Sequence, residues 1–183
     1  MSDPADRLYE QVLLLRCQAG DEAAFVEIVA GYDPRLRYFL RKLVHRAHLV
    51  DDLMQELWLD VHRGLPKLKE LSAFRAWLYR IARDRAVRHL RKREPVAALP
   101  EDIELLEEVD ETNFTAEDVA HIHAALDRLP PAQREVLVMR YLEEMSYEEI
   151  ARVISAPPGT VRSRLHYAKQ ALRQELERTM AHD

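Results

Sequence analysis

Apolar residues recur along the chain at spacings of three and four positions, which is the period of amphipathic helices. No run of alternating β-branched residues indicates a strand. Asp21 is placed to cap one helix, and Asp33 with Pro34 supplies the cap and the first-turn proline of a second. The apolar face of the first holds Phe25, Ile28 and Val29, and that of the second holds Leu36, Phe39, Leu40 and Leu43. The pattern predicts an all-α protein.

Two further helices are predicted in the N-terminal half. A third helix, about residues 50–63, is expected to stop at Gly64, with His62 and Arg63 in its last turn. Its buried positions are Leu53, Leu57 and Val61. After the loop "GLPKLKEL", Ser72 is placed to cap a long helix that reaches about residue 92. The buried stripe of this long helix is Phe74, Leu78 and Ile81.

The C-terminal half shows the same period with stronger boundary signals. The stretch "TAED", residues 115–118, resembles a capping box, and its helix ends at "LPP" before another helix through Leu142. Ser146 and Glu149 form a second capping box ahead of the short helix "YEEIARVI". Pro158 fits the first position of the next helix, to about residue 176. Two closely linked helices with a basic second one predict a helix-turn-helix.

Charge is distributed unevenly, although the formal net charge is −5. Residues 21–93 contain 16 Lys and Arg against 10 Asp and Glu, whereas residues 94–118 contain 10 acidic residues and no basic one. The acidic stretch also has two prolines and little apolar periodicity, so we expect a flexible linker between two small helical domains. Nucleic-acid affinity depends on the local face and not on the sum, so the acidic total does not exclude it.

Two basic helices are candidates for nucleic-acid contact. The long helix and its end carry Arg75, Arg80, Arg83, Arg85, Arg88, Arg91, Lys92 and Arg93, with Trp77 and Tyr79 interleaved. Only Asp84 lies among these charges, so DNA or RNA contact is favoured over a merely solvated face. In the helix-turn-helix, the side chains near the start of the second helix would reach base edges and phosphates. The candidates there are Arg162, Ser163, Arg164, His166 and Lys169.

Other chemistry finds little support in the sequence. The only cysteine, Cys17, lies in an apolar-periodic segment and is interpreted as a buried structural thiol. His121 and His123 are two apart on a predicted helix and point to different sides, so they cannot readily chelate one metal. His45 and His48 have no evident third ligand, and no phosphate-binding glycine motif is present. We therefore expect no cofactor, no metal and no enzymatic activity. Without an export signal or a long apolar stretch, a cytoplasmic protein with no membrane insertion is expected.

Four stretches together resemble a bacterial extracytoplasmic-function sigma factor of the sigma-70 family. They are "DDLMQELWLDVHR", "AFRAWLYRIARDRAVRHLRKR", "LDRLPPAQREVLVMRYLEEMSYEEIA" and "GTVRSRLHYAKQALR". The resemblance covers about residues 8–178. It implies sigma domain 2 at 8–93, an acidic linker at 94–114 and sigma domain 4 at 115–178. It also implies three kinds of partner: core RNA polymerase through its β′ and β subunits, promoter DNA, and an anti-sigma factor.

The resemblance also assigns candidate site residues. Binding to the β′ clamp helices is implied for Asp51, Asp52, Gln55, Glu56 and Asp60. Recognition and melting of the −10 element are implied for Lys67, Lys69, Arg75, Arg80, Arg83, Asp84, Arg88 and Arg91. Recognition of the −35 element is implied for Thr160, Arg162, Ser163, Arg164, His166 and Lys169. The chain departs from the family's frequent residues at Asp84, Ser155, Pro157 and Tyr167.

One alternative stays open at this point. A DNA-binding regulator could use the C-terminal helix-turn-helix without engaging polymerase. That hypothesis leaves the N-terminal half of the chain unexplained. Copurification with core polymerase would distinguish the two functions.

Overall fold

The computed structural model describes residues 4–44, 46–91 and 119–180, and the regular elements in these ranges are all helical. The predicted all-α fold is therefore confirmed. The chain divides into two compact units, Met1–Val96 and Ala97–Asp183. The predicted linker and the predicted capping box at 115–118 lie outside the described residues. No helix within the described ranges is both long enough and apolar enough to cross a bilayer.

The described part of the first unit contains four α-helices: α1 (Pro4–Gln18), α2 (Glu22–Val44), α3 (Ala47–Gly64) and α4 (Phe74–Arg91). Helix α2 packs against the other three, and α3 also packs against α4. Side chains with no exposed surface fill the space between them, as large apolar residues do in a close-packed core. They include Leu14, Leu36, Phe39, Leu40, Leu57, Phe74, Leu78 and Tyr79.

Tyr79 belongs to this core and not to a nucleic-acid surface. Its ring meets that of Phe39 edge-on at a centroid distance of 5.2 Å, and the residue is fully buried. Such edge-to-face pairs stabilise beyond the area they bury. The expectation that Tyr79 is interleaved with the basic residues for nucleic-acid contact was therefore wrong.

The two helices predicted on either side of Asp33 are one continuous helix. Pro34 lies inside α2, and Asp33 does not cap a new helix. Its carboxylate instead accepts from Arg37 Nε at 2.6 Å and from Trp58 Nε1 at 3.1 Å. Ile28, Tyr32, Leu36 and Phe39 form one buried stripe across the proline. Packing of this stripe offsets the backbone hydrogen bond that proline cannot make.

The predicted end of α3 at Gly64 is confirmed, although Gly64 is not a left-handed cap, and the predicted cap of α4 at Ser72 required correction. Gly64 keeps a helical φ of −91°, and the chain continues directly into a 3-10 turn, Leu65–Lys67. Trp77 explains why position 64 is a glycine, since a Cβ there would lie 2.7 Å from the Trp77 ring. Ser72 lies inside a second 3-10 turn, Leu71–Ala73, where its hydroxyl donates to Glu70 at 2.9 Å. A tertiary contact, and not a helix cap, therefore explains the glycine.

The second unit contains α5 (Val119–Arg128), α6 (Pro131–Leu137), α7 (Tyr147–Ile154) and α8 (Pro158–Met180). Helix α8 packs against the other three. Between α6 and α7 the chain makes a π turn, Val138–Leu142. Buried core residues include Ala125, Val136, Met139, Ile150, Val161 and Leu165. The predicted bounds of α7 and the start of α8 at Pro158 are confirmed.

The capping box of α7 is present, and its other end stores strain. Ser146 Oγ accepts from Glu149 N at 3.1 Å, and Ser146 N donates to Glu149 at 2.8 Å. Helix α7 ends at Ile154, and the next residue, Ser155, has left-handed angles, with φ of 54° and ψ of 47°. Glycine adopts this conformation without the Cβ clash that a serine meets.

Replacing Ser155 by glycine is therefore expected to stabilise the second unit by about 0.5–1 kcal/mol. Ser155 is exposed, so its side chain makes little contribution to packing. Native-state amide exchange of α7 and α8 would measure the change. The matched control is Ser163→Gly inside α8, where the same substitution should cost about 0.5 kcal/mol because the position is helical. Slower exchange in both variants, or in neither, would contradict the strain at Ser155.

Candidate nucleic-acid interface

The turn between α7 and α8 sets the position of the basic helix. Its left-handed Ser155 reverses the chain, and Ala156 N donates back to Ala151 O at 3.1 Å. Pro157 follows, and its carbonyl accepts from Val161 N at 3.3 Å in the first turn of α8. Pro158 occupies the first helical position, where a missing N–H has no effect. The result is the short-linked pair of helices that a helix-turn-helix requires.

Arg162 and Lys169 are the predicted −35 residues with aromatic support. The Cζ atom of Arg162 lies 5.9 Å from the ring centroid of Tyr147, at the start of α7. The Nζ atom of Lys169 lies 5.5 Å from the centroid of Tyr141, in the π turn. Both distances fall within the range of cation–π attraction. Arg162 is exposed and Lys169 is half-buried, so both are at the surface beside their rings.

Arg164 lies on a different side of α8 from Arg162. Residues two apart on a helix differ by about 200° in direction, so the two arginines leave α8 on nearly opposite sides. Arg164 Nη1 lies 3.6 Å from Glu135 Oε1, and only 5% of the Glu135 side chain is exposed. The Arg164 side chain is itself 21% exposed. This places a cation against a buried carboxylate of α6.

The remaining predicted −35 residues lie along the first turns of α8. Ser163 Oγ donates to Gly159 O at 3.1 Å and to Thr160 O at 3.2 Å, so its hydroxyl is used within the helix. His166 Nε2 lies 3.0 Å from Gln170 Nε2, and its ring meets Tyr167 edge-on at 5.4 Å. Tyr167 is 36% exposed. The surface beside Arg162 therefore combines polar and aromatic groups, both of which bases can contact.

The basic residues of α4 divide among different sides of the helix. Arg80, Asp84 and Arg88 follow each other at intervals of four and are all exposed, so they share one face. Arg75 and Arg83 are half-buried, while Lys67 and Lys69 are exposed in the segment before α4. The side chain of Arg91 lies outside the described residues. Trp77 is half-buried, with its ring 6.1 Å from that of Phe74 and against Gly64.

The acidic residues of α3 form ion pairs that the sequence pattern did not indicate. Arg85 of α4 donates from Nε to Asp60 at 2.8 Å and also pairs with Glu56. These carboxylates, Asp60 first, raise the pKa of Arg85. Asp51 pairs with Arg37 of α2. Asp52 and Gln55 are exposed on the same helix, and they complete the predicted polymerase-binding set.

Residues that sequence reasoning missed are those that support the basic side chains. Tyr147, Tyr141 and Glu135 lie outside α8, between 15 and 29 positions before the residues they contact. Helical periodicity relates only residues within a few turns. No local pattern could therefore have identified these partners.

Comparison with known proteins identifies both units. The sigma-70 region 2 family matches residues 28–95, and the sigma-70 region 4 family matches residues 121–172. The RNA polymerase sigma-H factor of Pseudomonas aeruginosa is 35% identical, over 92% of this chain and 94% of that protein. The ECF RNA polymerase sigma-E factor of Escherichia coli K12 is 32% identical, over 94% and 97%. Both relatives span both units of the chain.

Two solved structures are also similar. A complex of the sigma factor RpoE with the anti-sigma factor NepR from Bartonella quintana has a TM-score of 0.65 at 25% identity, covering 84% of this chain and 96% of the other. The structure of CnrH with the cytosolic domain of CnrY shares the fold, with a TM-score of 0.68 at 24% identity and coverage of 92% and 97%.

The region 2 match accounts for the N-terminal half, which a plain helix-turn-helix regulator leaves unexplained. The relatives extend over nearly all of the chain and not over the DNA-binding motif alone. The chain therefore belongs to the extracytoplasmic-function sigma factors of the sigma-70 family and serves RNA polymerase in promoter-specific initiation of transcription.

Proposed function

We propose that the two units divide the work of promoter recognition. Residues 8–93 act as sigma domain 2, residues 94–114 act as an acidic linker, and residues 115–178 act as sigma domain 4. The observation that carries this proposal is that one family match falls in each compact unit. The role of the chain is binding and not catalysis, and its place of action is the cytoplasm.

Core polymerase binds, in this proposal, to the acidic face of α3. Exposed Asp52 and Gln55 lie between residues that already form ion pairs, so they are accessible to a partner. An acidic face suits a basic surface such as the β′ clamp helices, because complementary charge speeds encounter and fixes register. Glu56 and Asp60 contribute at its edge while they hold Arg85.

The −10 element is recognised by α4 and the segment before it. Exposed Arg80 and Arg88, with Lys67 and Lys69, provide positive charge for the phosphates of a separated strand. Asp84 lies between the two arginines and can only accept hydrogen bonds when ionised. We assign further contacts with this element to Arg75, Arg83 and Arg91.

The −35 element is read by the exposed side of α8. Arg162 approaches base edges, Lys169 holds phosphate, and His166 lies between them along the helix. Further contacts from the first turns of α8 are assigned to Thr160 and Ser163. The ion pair with Glu135 favours a supporting role for Arg164. We extend to this chain the kind of partner present in the similar RpoE complex, an anti-sigma factor.

Reconstitution with core polymerase tests the proposed function. The purified chain should comigrate with core enzyme, and the holoenzyme should start transcripts on genomic DNA of the source organism at sites sharing a −35 and a −10 sequence. Core enzyme alone is the control. If the chain binds DNA without polymerase and adds no transcription start, the regulator hypothesis replaces this one.

A further inference from the structure

Two tyrosines outside α8 lie against the two basic side chains proposed to contact the −35 element. Tyr147 is the first residue of α7, and Tyr141 belongs to the π turn. The ring centroids lie 5.9 Å from Arg162 Cζ and 5.5 Å from Lys169 Nζ. Arg140 Cζ also lies 5.2 Å from the Tyr147 centroid, so that ring contacts two guanidinium groups.

The backbone that carries Tyr147 is held on both sides. The capping box between Ser146 and Glu149 fixes the start of α7, from which the ring projects. Before it, Arg140 Nη1 donates to the carbonyl of Met145 at 3.0 Å, which ties the π turn to the same segment. Tyr147 is half-buried, and its ring therefore has limited freedom to move. The ring is a fixed surface against which a flexible arginine can rest.

A ring held in place reduces the conformational entropy that a basic side chain loses when it binds DNA. Long basic side chains lose rotamer freedom when they are immobilised against a base or a phosphate. A cation–π contact in the free protein restricts the side chain beforehand, so less freedom is lost on binding. A position over a ring also favours arginine, because its planar group can lie above the ring and still donate from its edge.

We propose that Tyr147 is a positioning residue that holds the Arg162 guanidinium for base reading, and that Tyr141 does the same for Lys169 at a phosphate. This inference rests on the proposed function, in which the exposed side of α8 reads the −35 element. The two tyrosines then have different consequences. Tyr147 affects which sequence is chosen, because base contacts specify, whereas Tyr141 affects all sequences alike, because phosphate contacts only position.

The test uses the full chain bound to core polymerase and a library of promoter duplexes randomised over the −35 and −10 elements. Tyr147→Leu should reduce the preference at the base pair read by Arg162 by roughly two- to five-fold, the range of an exposed cation–π contact. Tyr141→Leu should weaken binding to all duplexes by a similar factor and flatten the salt dependence. The matched controls, Tyr147→Phe and Tyr141→Phe, keep the ring and should keep wild-type behaviour.

A double variant separates positioning from a structural role. In an Arg162→Ala background, Tyr147→Leu should change the sequence profile no further, because the side chain it positions is gone. A Tyr147→Leu variant that weakens all sequences equally, in both backgrounds, would overturn the inference. So would a Tyr147→Phe variant as defective as Tyr147→Leu, because the hydroxyl and not the ring would then be responsible.

A measurement on the unsubstituted protein covers the case in which Tyr147→Leu fails to fold. The side-chain Nε–H resonance of Arg162 in the free full-length chain should be shifted upfield by the ring. An unshifted resonance would contradict the contact. If Arg162→Ala leaves the profile unchanged, the proposed −35 function of α8 fails together with the inference. If Arg162→Ala alters the profile and Tyr147→Leu does not, only the positioning role fails.

Discussion

Replacing Asp52 by lysine is expected to weaken binding to core RNA polymerase by about 10- to 100-fold, or about 1.4–2.8 kcal/mol. Asp52 is exposed on α3, whereas Asp51, Glu56 and Asp60 already form ion pairs with arginines of the same unit. A lysine there would face a basic partner surface, and like charges in contact cost several kcal/mol when desolvated. Fluorescence anisotropy of the labelled chain titrated with core enzyme gives the affinity.

The choice of Asp52 over Glu56 follows from Arg85. A lysine at position 56 would lie beside that guanidinium and disturb the contact between α3 and α4, so weaker binding would have two causes. The matched control is Glu177→Lys, which makes the same charge change at an exposed site in the second unit. Equal affinity of Asp52→Lys and the wild type would remove this face of α3 from the polymerase interface. An equal loss of affinity in Glu177→Lys would show that the effect comes from net charge and not from the α3 surface.

Arg162→Ala and Arg164→Ala are expected to differ in kind, although the residues are only two positions apart. Loss of Arg162 should weaken binding to the preferred −35 sequence by about 5- to 150-fold, equivalent to about 1–3 kcal/mol, and relax preference at one or two base pairs. Its effect on folding should stay within about 0.5 kcal/mol, because the side chain is exposed. Selection of duplexes by the holoenzyme measures the profile.

Loss of Arg164 should instead destabilise the second unit by about 1–2 kcal/mol. Its guanidinium lies beside the buried carboxylate of Glu135, which would lose a neighbouring cation. Amide exchange of α6 and α8 in the full chain would show this change. Tryptophan fluorescence would not report on the second unit, because both tryptophans, Trp58 and Trp77, lie in the first unit. If Arg164→Ala alters the base profile and leaves amide exchange unchanged, Arg164 reads bases and does not stabilise the second unit.

Local sequence determined the elements whose boundaries depend on interactions between residues a few positions apart. The short helix α7, its capping box and the proline that begins α8 match the prediction residue for residue. Each depends on hydrogen bonds or sterics between residues at most four positions apart. The family assignment was equally accessible, because its four motifs are contiguous stretches of the chain.

Helix α1 shows where periodicity alone gives too little information. Leu13 and Leu14 are buried, yet Leu8, Val12 and Leu15 are exposed on the same helix. Apolar residues therefore occur around much of its circumference and define no single face. Its attachment to α2 includes Tyr9 donating to Glu27 at 2.6 Å and Tyr32 pairing with Glu10. These partners are 18 and 22 positions apart, beyond the range of a helical pattern. For both reasons the sequence pattern did not predict α1.

The tertiary structure alone decided the features that depend on distant residues. The sequence indicated that Asp33 starts a helix, that Gly64 acts as a helix cap and that Asp84 is the only acidic residue among the basic side chains of α4. In the folded unit Trp58 and Arg37 donate hydrogen bonds to the carboxylate of Asp33. The ring of Trp77 leaves room only for a glycine at position 64. Arg85 forms ion pairs with Glu56 and Asp60. Turn and cap preferences amount to about 1 kcal/mol each, and buried packing or ion pairing between helices can exceed that. Sequence therefore determined the all-α class, the locally capped helices and the family, whereas packing between helices determined which charged side chains stay available to polymerase and DNA.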